Sequence, residues 1–285
     1  MFRRLTLCLL FVSVSSSFAQ KQETIWSEPE RPILQRIRTL RQVPDEKRAA
    51  ATREIAGLIR QLPASANKVN LASGLASLST EGDFGRDTLQ GVASMLADAL
   101  REQAASPKGP IEEAPWVEMA QLIRYEHVKV PLDGPLLNTA MARLQAEDQQ
   151  REKADFTLTD LQGKSWTLKQ LHGKVVLVNF WATWCAPCRK EMPDLDTLYK
   201  RFQSQGLVIL AISDEQDAKV RPFIAEKKVL YPILLDPGSK VNKLFAIDGI
   251  PKSLLYDREG KLVAQSIDMR TRGQFLEMLG RAGLK

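Results

Sequence analysis

Cysteine and histidine are scarce in this chain, and their scarcity removes several kinds of chemistry. Three cysteines and two histidines occur in 285 residues. Cys8 lies in an N-terminal apolar run that reads as cleaved off, so the mature chain keeps Cys185 and Cys188 alone. No other segment of that mature chain can then be stapled, which excludes a disulfide framework. A structural zinc site needs four ligands, and neither His127 nor His172 provides a second ligand pair.

Long apolar runs are also lacking. Beyond the first residues no stretch approaches the roughly 18 apolar residues that mark a membrane-spanning helix, which predicts a mature protein free in the compartment it enters. A dense stripe of Lys and Arg with interleaved aromatics is missing too. The formal charge is +6, but it divides into +2 over residues 1–19, −1 over 20–153 and +5 over 154–285. None of these parts has the basic density that phosphate binding needs, so no nucleic-acid partner is expected. Lys227 and Lys228 read as a solvated helix face.

What is present describes an ordinary globular protein, with 44% hydrophobic and 26% charged residues. The length suits about two domains. Arg3 and Arg4 precede an apolar run from Leu5 to Val14, then Ser15, Ser16, Ser17, Phe18 and Ala19. That order of charged, apolar and small residues is the pattern of a secretory signal cut after about Ala19, and it predicts export to the periplasm or cell envelope.

Two regions follow with different spacing of apolar residues. Over 20–153 the repeats are helical, as in Ile33, Ile37 and Leu40, or Ile55, Leu58, Ile59 and Leu62 behind Pro44-Asp45-Glu46. Further helices are predicted over about 67–78, 87–103, 116–126 and 136–149, punctuated by Pro63, Pro107, Pro110, Pro115, Pro131 and Pro135. This predicts an all-α domain of six helices with no motif that carries chemistry. His127 reads as structural, and Trp116 and Tyr125 as core or docking residues. The polar run from Glu147 to Lys153 continues the last helix and becomes a hinge.

Over 154–285 short apolar runs alternate with helical segments. A hairpin is predicted from 156–158 and 165–168, central strands at 175–180, 207–212 and 231–235, and a terminal hairpin from 252–256 and 262–265. Helices are predicted between them at about 186–205, 216–228, 239–245 and 271–280. This is an α/β arrangement around one central sheet.

Chemistry concentrates after the first central strand, in Trp181-Ala182-Thr183-Trp184-Cys185-Ala186-Pro187-Cys188-Arg189-Lys190-Glu191. A Cys-x-x-Cys directly after a buried strand and at a helix start reads as a redox pair. At that position the unsatisfied backbone N–H groups and the positive helix end favour the Cys185 thiolate, lowering its pKa below the free value of about 8.5. Cys188, one turn further in, can attack a mixed disulfide formed on Cys185. Pro187 suits the first helical turn, where a missing N–H costs little. A covalent c-type haem site would need His where Arg189 stands, and the Pro-x-x-x-Thr-x-x-Cys pattern of peroxidatic cysteines is absent. A purely structural disulfide of so short a span would constrain little chain entropy.

These residues, with Gly173-Lys174-Val175-Val176-Leu177-Val178-Asn179-Phe180-Trp181 before them and Gly249-Ile250-Pro251 after, resemble the TlpA/ResA-like bacterial envelope thiol-disulfide oxidoreductases of the thioredoxin superfamily. The resemblance covers about 154–285. It implies a thioredoxin fold, a central mixed sheet flanked by helices, preceded here by the all-α domain. It assigns Cys185 as nucleophile, Cys188 as resolving thiol and Glu191 as proton carrier. Asn179 stands where cytoplasmic thioredoxins carry a buried Asp. Spacing places Glu191 one turn beyond Cys188 on the same helix face, where burial would raise its pKa; the competing reading is an exposed carboxylate paired with Arg189 or Lys190. By the same resemblance Pro251 is cis and faces the cysteines, Ile250 and Pro251 dock an extended substrate segment, and Trp181 and Trp184 shield the pair beside Pro187. Lys252 departs from the Thr or Ser usual after that proline.

The activity expected from the resemblance is reduction of envelope protein disulfides, in a setting such as cytochrome c biogenesis, without a dissociable cofactor or metal. Its partners would be protein thiols or disulfides and a membrane protein that donates electrons. Two alternatives use the same residues: a dithiol oxidant of envelope thiols, and a client-binding module with a redox-sensitive clasp.

Overall fold

The structure is a computed structural model that describes residues 24–105 and 112–285. The expected secretory segment at 1–19, with Cys8, lies outside the described residues, as do Pro107 and Pro110. Among the described residues no helix is long and apolar enough to cross a membrane.

The described residues of the N-terminal region form six α-helices: α1 (Glu30–Thr39), α2 (Asp45–Gln61), α3 (Ala66–Leu78), α4 (Arg86–Ala105), α5 (Ala114–Tyr125) and α6 (Pro135–Lys153). Their apolar faces share one core, with α4 contributing Val92, Met95, Leu96, Ala99 and Leu100 at three- and four-residue spacing. Asp45 and Glu46 occupy the first turn of α2, where negative charge complements the helix dipole. Its far end is capped from the next helix: Lys68 Nζ donates to Arg60 O at 3.2 Å, to Leu62 O at 2.9 Å and to Glu102 Oε2 at 2.8 Å. Burial of that lysine is tolerated because each ammonium hydrogen finds an acceptor. Trp116 is buried in the same core.

The second region opens with an antiparallel hairpin, β1 (Thr157–Thr159) and β2 (Ser165–Thr167). A five-stranded sheet follows in the order β5-β4-β3-β6-β7. Strands β3 (Val175–Phe180), β4 (Leu207–Ser213) and β5 (Ile233–Leu235) run parallel, while β6 (Lys252–Tyr256) is antiparallel to β3 and β7 (Leu262–Gln265) antiparallel to β6. Four helices pack on it: α7 (Ala186–Phe202), α8 (Asp217–Lys227), α9 (Lys240–Leu244) and α10 (Arg272–Arg281). This is the thioredoxin fold, a mixed sheet covered on both faces.

Strand β3 is buried at every residue because both of its faces are covered. Val175 and Leu177 point into the cluster formed with α7, α8 and α10. Val176, Val178 and Phe180 point into the opposite cluster with Phe156 and Phe245. The same alternation puts Asn179 on the α7 side. Some predicted edges shift: β1 begins at Thr157 and β2 ends at Thr167, where the 3-10 turn Leu168–Leu171 opens although the Leu168 N–H still continues the register to Phe156 O at 3.1 Å, and β5 begins at Ile233 rather than Tyr231.

The expected hinge is not one. Helix α6 continues through Lys153, and Arg151, 4% exposed, reaches into the second region. Its Nε donates to Phe245 O at 2.9 Å and its Nη2 to Ala246 O at 3.0 Å. Gln150 Nε2 donates to Leu244 O at 2.8 Å, and Tyr256 donates its hydroxyl proton to Arg151 O at 3.0 Å. A run of charged residues reads as solvated in one dimension, but the long guanidinium arm carries its charge across to acceptors on α9 and the loop after it.

Candidate active site

Strand β3 delivers the chain to the cysteines. Trp181 N–H still pairs with Ile212 O at 3.0 Å, after which the chain turns and Cys185 becomes the N-cap of α7. Its Sγ accepts the Cys188 N–H at 3.2 Å, so a sulfur takes the place of the hydroxyl or carboxylate that usually caps a helix start. The two residues form a disulfide with Cα atoms 5.3 Å apart, and both are buried. Pro187 lies in the first turn, partly exposed beside exposed Ala186.

The turn is clamped by Glu215. Its Oε2 accepts the Thr183 N–H at 2.6 Å and its Oε1 the Thr183 hydroxyl at 2.9 Å, while Arg189 Nη1 donates to Thr183 O at 2.8 Å. No periodicity or motif in the sequence points to Glu215. Its position just past the end of β4 brings it there.

Across from the cysteines the Ile250–Pro251 peptide bond is cis, and the Ile250 carbonyl oxygen lies 3.7 Å from Cys185 Sγ. The two tryptophans diverge. Trp184 is 68% exposed and stands at the surface beside Cys185. Trp181, expected with Trp184 to shield the pair, is 2% exposed and packs on the Phe223 ring at 5.7 Å. Its place is in the core beneath the cysteines, because it extends β3 with strand alternation whereas Trp184 sits on the turn.

Glu191 is buried on the inner face of α7. Asn179 Nδ2 donates to its Oε1 at 2.8 Å, and the Arg270 backbone N–H donates to its Oε2 at 3.1 Å. Burial outweighs these two bonds and pushes the carboxyl up to about 8. The exposed-carboxylate reading fails: Arg189 is engaged with Thr183 O, and Lys190 Nζ pairs with Asp45 Oδ2 of α2 at 2.8 Å.

The AhpC/TSA family matches residues 150–265. Over 125 residues the chain is 40% identical to the thiol-disulfide oxidoreductase ResA of Bacillus thuringiensis (strain Al Hakam), a match that covers 44% of this chain and 72% of that protein. The chain belongs to the ResA-like thiol-disulfide oxidoreductases. ResA of Bacillus subtilis (strain 168) is 35% identical over 129 residues, covering 45% of this chain and 72% of that one. Among solved structures, StoA from Bacillus subtilis is 28% identical with a TM-score of 0.40, over 45% of this chain and 96% of that one.

In this ResA-like chain the residue after the cis proline meets the helical region. Lys252 pairs in register with Phe180, and its Nζ lies 5.4 Å from the centroid of the Tyr125 ring of α5. Burial lowers it to about 7. Next to it Ser253 Oγ accepts a second bond from Asn179 Nδ2 at 3.1 Å. Tyr125 donates its hydroxyl proton to Asp148 Oδ1 at 2.9 Å, which places a docking role for Tyr125 on a specific contact.

Arg270 and Asp268, on the loop between β7 and α10, also belong to this neighbourhood and carry no sequence signal, being single charges in a polar loop. His127 follows α5 with φ +55°, and His172 caps the turn after Leu171 beside the β6–β7 hairpin.

Proposed function

We propose that this oxidoreductase is an exported reductase of protein disulfides in the cell envelope. The observation that carries the proposal is the Cys185–Cys188 pair at the start of α7, with the Ile250 carbonyl against Cys185 and buried Glu191 one turn beyond Cys188 on the same helix. In the dithiol form the N-terminal end of α7 stabilises the Cys185 thiolate. That thiolate attacks one sulfur of the substrate disulfide and forms a mixed disulfide, and the first substrate sulfur leaves as a thiolate that takes a proton. Glu191 then accepts the Cys188 proton. The Cys188 thiolate attacks Cys185 Sγ, closes the disulfide and releases the second substrate thiolate. Two electrons have passed to the substrate, and a dithiol on a membrane donor must restore the pair.

Substrate docking falls to the surface around the pair. Trp184 offers an exposed aromatic face, and Ile250 with Pro251 presents backbone to an extended segment. The localisation rests on the signal-like order of residues 1–19, and the direction on the family resemblance read from the sequence.

The deciding experiment is the reduction potential of the pair, equilibrated in defined thiol buffers and followed by thiol trapping. A value near about −270 mV supports the reductase, whereas one near about −120 mV makes the protein an oxidant of envelope thiols. Cys185→Ser is expected to abolish disulfide reduction; retained reduction would remove Cys185 from the mechanism altogether.

A further inference from the structure

The loop between β7 and α10 lies between the redox pair and the helical region, and its residues touch both. Ile267 packs against the core of the helical region. The Asp268 charge is felt by Glu191, by Glu118 of α5 and by the Arg41–Glu81 pair. Arg270 is the direct link. Its backbone N–H holds Glu191 Oε2, and its guanidinium forks onto the carboxylate of Glu126 at the end of α5, with Nη1 at 3.2 Å from Oε2 and Nη2 on Oε1. Both side chains of that ion pair are nearly inaccessible, at 6% and 10% exposure.

A buried guanidinium beside a buried carboxyl would hold that carboxyl ionised. Paired with Glu126, the guanidinium has its charge opposed at close range; its pull still lowers Glu191, but it is the weakest of the influences there and burial prevails. The groups that face Glu191 are otherwise few: Asn179 on β3, Tyr231 ahead of β5, and the Asp268 carboxyl, itself raised to about 6 by burial. The Arg189 and Lys190 charges of α7 are spent on Thr183 O and Asp45.

We propose that Glu126 is a positioning residue for the redox centre: by opposing the charge of Arg270, whose backbone holds Glu191, the helical region keeps Glu191 able to hold a proton and exchange it with Cys188. The inference rests on Glu191 being the proton carrier for Cys188. It gives the helical region a task at the active site, performed from the end of α5 and without contact to the substrate. The buried Oε1 of Glu118, which has no hydrogen-bond partner among the described residues, is in keeping with a boundary where carboxyls are kept neutral.

The test titrates Glu191 directly in the oxidised full-length protein carrying carboxyl-¹³C glutamate, with Glu191→Gln used to assign the signal. Glu126→Gln leaves Arg270 unopposed, so the Glu191 midpoint is expected to fall by about one unit, a tenfold loss of proton affinity. Arg270→Gln leaves Glu126 unopposed and is expected to raise it, and the double variant Glu126→Gln/Arg270→Gln is expected to return it to the native value. The rate–pH profile for reduction of glutathione disulfide should move with the midpoint in each case. A merely structural ion pair would lower the unfolding temperature and leave the midpoint where it was, and that result overturns the proposal. If Glu126→Gln does not fold, the upward shift in Arg270→Gln carries the same decision. An unaltered rate–pH profile in Glu191→Gln would sink the proton-carrier reading itself, an outcome obtained without touching Glu126.

Discussion

Arg151 Nε donates to the Phe245 carbonyl at 2.9 Å, joining the last turn of α6 to the end of α9. Around this bond the same guanidinium meets Ala246 O and Gln265 Oε1, while Glu147 and Asp148 balance its charge from within α6. Gln265 Nε2 in turn donates to Asp148 Oδ1 at 2.5 Å. The two regions are therefore held by a buried, hydrogen-bonded network in addition to the peptide link.

Removing the arm should loosen that junction. Arg151→Ala strips the Phe245 and Ala246 carbonyls of a charged donor and leaves Asp148 and Glu147 short of a cation, for an expected loss of about 3 kcal/mol. Urea unfolding measures the loss, and limited proteolysis should begin to cut near residue 154. Stability within about 0.5 kcal/mol of the native protein would show that Arg151 does not hold the regions together.

Lys252 makes stability depend on alkaline pH. Its folded pKa, lowered from 10.5 to about 7 by burial, lies below the unfolded value, so between these limits the unfolded chain binds the extra proton. The cost of burying the ammonium is then fully present below pH 7 and fades as pH rises towards 10.5. Lys252→Met is expected to be more stable than the native chain at pH 7, on the order of 2 kcal/mol, with the gap closing by pH 10. Denaturant unfolding of both proteins across pH 6–10 checks it. A gap that stays constant with pH would mean that the ammonium is paired rather than penalised at its place over Tyr125.

The two tryptophans should separate stability from exchange. Trp181→Ala empties a buried site against Phe223 and should cost about 3–5 kcal/mol. Trp184→Ala, at a side chain 68% exposed, should leave stability within about 0.5 kcal/mol of native and slow the reaction with protein disulfides. Thermal unfolding and single-turnover reduction of a protein disulfide read the two effects. Equal destabilisation by both substitutions would contradict the different environments described for them.

Local readings survived where local physics decides the outcome. The run Val175–Phe180, apolar except at Asn179, reads as a strand covered on both faces, and cysteines following it at the start of an amphipathic helix stand at the helix N-terminus. Six helices in the first region were legible from three- and four-residue spacing, since each buries one stripe. Glu191 was placed by its spacing from Cys188, which sets the helix face, while burial followed from the helix packing on the sheet.

Tertiary structure decided what depends on long side chains meeting across distant segments. Glu215 at Thr183, Arg270 between Glu191 and Glu126, Lys252 on Tyr125 and Arg151 at Phe245 are each single charged residues in polar stretches. A charge in a sequence has no period to betray its partner, and its default reading is a solvated one. Trp181 and Trp184 make the same point three residues apart: composition makes them alike, and only the direction of strand and turn sends one into the core and the other to the surface. The amino-acid sequence by itself thus determined the elements, the redox pair and its helix, because these rest on periodicity and nearest neighbours. How the helical region closes on the thioredoxin fold was decided by packing alone, because the groups that join them are brought together only after both regions have folded.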